Sequence, residues 1–194
     1  MIKEKKKCVA RLQPQELKTV FPNYDLELQY RIMDTLGKKS SIPVPGLIGL
    51  EENNKILGVP FYVMEYHSGA IPSDIPPYHM DGWLKENTSE SQRKILWNTA
   101  TDVLISLHKL DYKKIGFSDL SSKGKTPLNH QLSYWKNYHD WALGGKVNRT
   151  CDEALQWLFE NQPNKEPTVL CWGDARISNI IFIKIYLFSF FEFW

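Results

Sequence analysis

The segment Thr168-Val169-Leu170-Cys171-Trp172-Gly173-Asp174-Ala175-Arg176-Ile177-Ser178-Asn179-Ile180-Ile181-Phe182-Ile183 sets a polar turn between two apolar runs. Apolar runs bounded by turn residues read as short buried strands, so a hairpin is expected over 168–183. Asp174 and Asn179 stand five positions apart in its turn. A carboxylate and a carboxamide at that spacing offer two kinds of oxygen. One takes up a proton and the other ligates a hard cation. Gly-Asp turns are also common between ordinary strands, so the rest of the chain has to decide between the two readings.

The rest of the chain has a clear order. Cys8-Val9-Ala10-Arg11-Leu12 alternates as a strand does, and Gln13-Pro14 ends it. Tyr24, Leu28, Ile32 and Leu36 recur every four residues, which predicts an amphipathic helix stopped by Gly37. Ile42-Pro43-Val44-Pro45-Gly46 is an extended connector. Leu47–Leu50 and Lys55–Leu57 flank Glu51–Asn54 as a hairpin would, and Phe61–Tyr66 reads as a strand. Ser68-Gly69 and the Pro-rich stretch from Ile71 to Tyr78 read as a linker. Helices follow. Ser89 to Gln92 fits a capping box, and Leu96, Ala100, Val103, Leu104 and Leu107 share one face up to Leu110. A polar loop runs from Gly116 to Pro127. Leu128, Leu132, Trp135 and Ala142 mark a second helix, and Asp152 to Asn161 a third, ended by Pro163. No internal repeat is present.

Composition narrows the class. The 194 residues fit one domain or two small ones, and 42% hydrophobic content suffices for a packed core. A formal net charge of +2 argues against a nucleic-acid surface, and Lys3 to Lys7 reads as a solvated basic end. Cys8, Cys151 and Cys171 match no zinc or disulfide spacing, so a reducing compartment, the cytoplasm, is expected. No signal peptide is expected at the charged start. The apolar tail from Ile180 to Trp194 is shorter than the roughly 20 residues of a spanning helix and carries Lys184 and Glu192. It is expected to form buried strands rather than a membrane anchor.

A β-rich first third, a linker and a helical remainder with a catalytic-type loop is the layout of protein-kinase-like phosphotransferases. The motifs agree in order: Val44-Pro45 before a strand, Gly58-Val59-Pro60-Phe61-Tyr62-Val63-Met64-Glu65, Leu107-His108-Lys109-Leu110-Asp111, and Leu170 to Asn179. On these residues the chain resembles the aminoglycoside phosphotransferase/choline kinase-like family. The nearer branch is the one found as stand-alone small-molecule kinases or fused to acyl-CoA dehydrogenases. The resemblance runs from about Val9 to Phe182.

The resemblance implies an α+β, protein-kinase-like two-lobe fold. Residues 1–66 would form a partial N-terminal lobe on the nucleotide side, and 67–194 a partial C-terminal lobe with the catalytic loop at 172–179. It implies an ATP- and Mg²⁺-dependent phosphotransferase acting on a small-molecule hydroxyl, with neither nucleic acid nor membrane as partner. Asp174 would be the catalytic base and Asn179 the metal ligand. Arg176 would orient the loop or an anionic substrate group. Arg11 stands where kinases place a phosphate-holding Lys, with Lys7 as the register alternative. Met64, Glu65 and Tyr66 would form the hinge whose backbone meets adenine. His108 would be hydrogen-bonded beneath the loop, and Trp135 and Trp141 are candidates for an acceptor pocket.

Four departures from the family pattern accompany it. Trp172 stands where many members have His. Gln29 stands at the position of the acidic partner, with Glu27 nearby. No Gly-rich hairpin precedes Cys8, and between Lys184 and Trp194 the one acid is Glu192, where a second metal-binding Asp would be sought. The chain is therefore expected to be incomplete at both ends. The rival expectation is a non-catalytic fragment or a pseudokinase-like binding module. A third is an unrelated α+β binding domain with a coincidental Gly-Asp turn.

Overall fold

The computed structural model describes residues 6–14, 20–121, 126–184 and 186–190. Lys3 to Lys5 of the basic run, part of the loop before Pro127, and Glu192 lie outside the described residues. The chain forms two compact units. One is built from the first strand, residues Asp25–Leu110 and the segment from Leu170 on. The other is built from Asp111–Val169 with the stretch leading to Tyr24.

The first unit opens with strand β1 (Cys8–Leu12) and helix α1 (Leu26–Lys39), followed by β2 (Leu47–Glu51) and β3 (Phe61–Glu65). The sheet order is β1-β3-β2, antiparallel throughout, with Arg11 opposite Tyr62 and Cys8 opposite Glu65. Helix α1 begins where Asp25 accepts the Leu28 N–H at 2.8 Å, satisfying one of the orphan donors of the first turn. Leu26, Gln29, Ile32, Met33 and Leu36 are its buried stripe. The spacing is helical as expected, although Tyr24 precedes the helix and Leu28 flanks the stripe.

Gly37 does not stop α1. The helix continues to Lys39, and the Ser40 hydroxyl donates to the Leu36 carbonyl at 2.7 Å. Gly37 serves close approach instead: a Cβ there would lie 3.3 Å from Val44 Cγ2 in the extended connector.

The expected hairpin around Glu51–Asn54 is also displaced. Lys55–Leu57 form no strand, and Ile56 and Leu57 are exposed. Glu51 accepts the Asn53 N–H at 2.8 Å, and Asn53 accepts that of Lys55 at 3.0 Å. The Gly58 N–H, at φ +83°, donates to the Asn54 carbonyl at 2.8 Å. Side-chain acceptors thus capture backbone donors that a ladder would need. The strand that pairs with β2 is β3, so this region holds two strands rather than three.

The short helix α2 (Trp83–Glu86) leads to α3 (Glu90–His108). The capping box is complete: the Gln92 N–H donates to Ser89 Oγ at 3.2 Å, and the Ser89 N–H donates to Gln92 Oε1 at 2.8 Å. Leu96 and Leu107 are buried, with Ala100, Val103 and Leu104 half-buried on the same face. Ser89→Ala is expected to cost about 1 kcal/mol. A melting curve should show this as a fall of about 2–4 °C.

The second unit carries α4 (Tyr112–Ile115), a 3₁₀ turn at Ser118–Ser121, α5 (Pro127–Leu143) and α6 (Arg149–Glu160). Thr126 caps α5 by accepting the Asn129 N–H at 3.1 Å, with Pro127 in its first turn. Helix α6 starts three residues before the expected Asp152, because Asn148 accepts the Cys151 N–H at 3.3 Å and nucleates it there. Edge-to-face and tilted contacts link Phe21, Tyr138, Trp135, Tyr134 and Trp141.

The chain then returns to the first unit. Thr168–Cys171 run in without strand structure, and a 3₁₀ turn at Ile177–Asn179 precedes β4 (Ile180–Ile183) and β5 (Tyr186–Phe190). The hairpin is therefore β4 with β5, not 168–171 with 180–183. At Phe182 both edges of β4 are taken. Leu187 of β5 is its partner on one side, and Ala70 exchanges both backbone hydrogen bonds with it at 2.8 and 2.9 Å on the other. No free ladder position remains there for Thr168–Cys171.

Candidate active site

The Asp174–Asn179 loop is closed by its own backbone. The Arg176 N–H donates to the Asp174 carbonyl at 2.8 Å, and the Asn179 N–H donates to the Arg176 carbonyl at 3.0 Å. Trp172, Ile177 and Ile180 are buried on either side and anchor the turn. Asn179 is itself buried, and its amide Nδ2 donates to the Asp174 carbonyl at 2.9 Å and to Asp174 Oδ2 at 3.0 Å. Arg176 Nε donates to the same Oδ2 at 2.9 Å. One carboxylate oxygen thus takes two donors, while Asp174 Oδ1 and Asn179 Oδ1 accept none among the described residues.

That arrangement sorts the donors chemically. A carboxylate only accepts, so the amide turns its NH₂ toward Asp174 and keeps its oxygen for another partner. The half-buried Asp174 side chain is held in one rotamer with an acceptor oxygen to spare. This is what a group that receives a proton from a bound hydroxyl requires.

The loop rests on the segment that reads as a linker. Ala70 pairs with Phe182 as described above, the Trp83 indole N–H donates to the Ile71 carbonyl at 3.1 Å, and the Trp83 ring packs against Phe182. Arg176 Nη1 donates to Asp74 Oδ2 at 2.8 Å. Gly69 is required by this packing. A Cβ there would meet the Ile181 side chain and lie 2.7 Å from the Phe182 carbonyl oxygen. Gly69→Ala is therefore expected to cost about 1–3 kcal/mol, read as a lower urea midpoint at unchanged m-value. Local patterns do not reveal Asp74 or Gly69, because their partners lie more than a hundred residues further along the chain.

The other expected residues fall out as follows. Arg11 lies on the half-buried side of β1, opposite Tyr62 on β3. Lys7 precedes β1, with its ammonium 5.4 Å from the centre of the Tyr66 ring. Met64 is buried, and the Glu65 N–H is taken by the Gly46 carbonyl at 2.8 Å. Tyr66 is thus the first residue beyond the ladder. The Glu65 carboxylate accepts from Lys6 Nζ at 2.7 Å. That hydrogen bond and its charge hold the Glu65 carboxyl below its ordinary range and the Lys6 ammonium above its own. Gln29 is buried on α1 and Glu27 is exposed. His108, expected beneath the loop, is instead exposed as the last residue of α3, next to the buried Leu107. In the second unit Trp135 lines a groove between α5 and α6 with Tyr138, Ala142, Leu155 and Leu158, and Trp141 is not part of that lining.

A family model described as phosphotransferase enzyme family (APH) matches residues 13–184, most of the chain and the whole of the loop. The chain belongs to the phosphotransferase enzyme family. Among curated relatives, acyl-CoA dehydrogenase family member 10 of Mus musculus is 28% identical over 167 residues, and family member 11 of Gallus gallus 29% over 167. Each alignment takes in 84% of this chain but only 14% and 20% of the relative. The chain therefore spans a small part of those proteins. In structure it superposes on a Ralstonia eutropha protein assigned as an aminoglycoside phosphotransferase, with TM-score 0.70 at 22% identity. The match covers 96% of this chain and 52% of that one. The fold is α+β and protein-kinase-like. Among the described residues no helix is long and apolar enough to cross a membrane.

Proposed function

We propose that this family member transfers the γ-phosphoryl group of ATP to a small-molecule hydroxyl, with Asp174 as the base. The carrying observation is the loop geometry: Asp174 Oδ2 is fixed by Arg176 and Asn179, and Oδ1 accepts no hydrogen bond among the described residues. Phosphoryl transfer asks little covalent chemistry of a protein and much positioning. A carboxylate with one oxygen clamped and one free is suited to orient an attacking hydroxyl and take its proton. Arg176, engaged by two carboxylates, serves as a loop-orienting residue. In this reading residues 1–66 form the nucleotide side, with Arg11 toward the phosphates and the backbone at Met64, Glu65 and Tyr66 toward adenine. Residues 67–194 then carry the loop and the acceptor.

The donor set fits Mg²⁺ in part. Asn179 Oδ1 and Asp174 Oδ1 are hard oxygens without a hydrogen-bond partner among the described residues. Mg²⁺ takes one or two protein oxygens and completes its shell with phosphates and water. Among the described residues no cluster of three or more His, Cys, Asp and Glu side chains adds to them. Asn179 would thus contribute one ligand to an ion shared with the nucleotide, and that ion would supply charge neutralisation on the phosphates. In this reading the chain works in a reducing compartment, the cytoplasm.

One observation favours a non-catalytic binding module as a second reading. Gln29 is buried and neutral on the helix that should carry the acidic partner of the phosphate-holding cation. The two readings separate on Mg·ATP turnover, followed as ADP release across a panel of small hydroxyl compounds. Phosphotransfer requires ADP release that rises with one class of acceptor. A module binds without turnover.

A further inference from the structure

We propose that Asp74 is a positioning residue: it fixes the Arg176 guanidinium, and through Arg176 it fixes Asp174. This rests on the reading of Asp174 as the base. Arg176 offers two separate donors to two carboxylates, Nε to Asp174 at 2.9 Å and Nη1 to Asp74 at 2.8 Å. A guanidinium held only at Nε pivots about its bond to the side chain, whereas a second contact at Nη1 fixes its plane. Without Arg176, Asn179 is the one donor left to Asp174 Oδ2 among the described residues, and Oδ1 loses its set direction.

Asp74 is itself well placed for this. Pro72 is fully buried beside it. Ser73 Oγ closes the turn around Asp74, accepting the Ile75 N–H at 3.1 Å and donating to the Ile75 carbonyl at 3.0 Å. Ala70, four residues earlier, is tied to Phe182 on the far side of the loop. The Arg176–Asp74 pair is about half exposed, so it contributes little to global stability. Its effect is local, on the geometry of one carboxylate.

The test is hydrogen exchange of the Arg176 Nε–H, followed by NMR on the intact, ligand-free chain. Exchange is expected to be slow in the wild type and about tenfold faster in Asp74→Asn, in line with the loss of one charge-assisted contact. Asp74→Glu, which keeps the carboxylate, should restore slow exchange. Asp174→Asn should accelerate it, since the acceptor is then changed. Core methyl resonances should not move in any variant. Unchanged exchange in Asp74→Asn would overturn the proposal, and so would acceleration accompanied by shifts throughout the core. The base assignment is decided separately by Asp174→Asn turnover, so the failure of one is not mistaken for the failure of the other.

Discussion

Asp174→Asn is expected to lower Mg·ATP-dependent turnover by about 10²–10⁴-fold, the usual contribution of a positioned general base. The change is nearly isosteric, so the fold should survive it. At one terminal position it replaces an acceptor with an NH₂ group. Arg176 Nε and Asn179 Nδ2 both donate to Asp174 Oδ2, so the amide must present its oxygen to them. Its NH₂ group then falls where Oδ1 was, and that group takes up no proton. Arg11 and Met64 to Tyr66, the residues proposed to face ATP, are untouched, so KM for ATP should hold while kcat falls. This is the pattern of an interaction made only in the transition state. Equal turnover in the two proteins would remove Asp174 from the chemistry.

Phe182→Ala is expected to cost about 3–5 kcal/mol, the range for a large aromatic removed from a core. Phe182 has 0% of its surface exposed and packs against Trp83. Its backbone joins β4 to Ala70, three residues beyond Asn179. The cavity therefore opens beside the loop, and turnover should fall with stability. Urea denaturation gives the magnitude through the midpoint. A loss below about 1 kcal/mol would mean that the site collapses onto the hole or that Phe182 is not packed as described.

What the sequence made legible was local. Alternation in Cys8–Leu12, the capping box at Ser89 and Gln92, and the apolar face of Leu96 to Leu107 depend on neighbours a few residues away, and the structure has each of them. The Asp174–Asn179 loop was visible for the same reason: it is closed within six residues. The failures share an opposite cause. Gly37 looked like a helix stop, but close contact with Val44 determines it. Lys55–Leu57 looked like a strand, but Glu51 and Asn53 capture the backbone donors. Thr168–Cys171 looked like half a hairpin, but β5 and Ala70 fill the edges of β4 at Phe182. Asp74 carried no signal because nothing near Pro72 and Pro76 marks it as the partner of an arginine so distant in the chain.

The most direct measurement is the melting temperature of the intact chain with ATP, in Mg²⁺ or in EDTA, for the wild type and Asn179→Ala. A ligand held only by the folded state at about 100 times its Kd adds about 2.7 kcal/mol of stability. The wild type should melt higher with Mg·ATP than with ATP in EDTA, and in Asn179→Ala the two curves should converge. A wild-type melting temperature unmoved by Mg·ATP, or a Mg²⁺ effect that persists in full without Asn179, would contradict a phosphotransfer site at this loop.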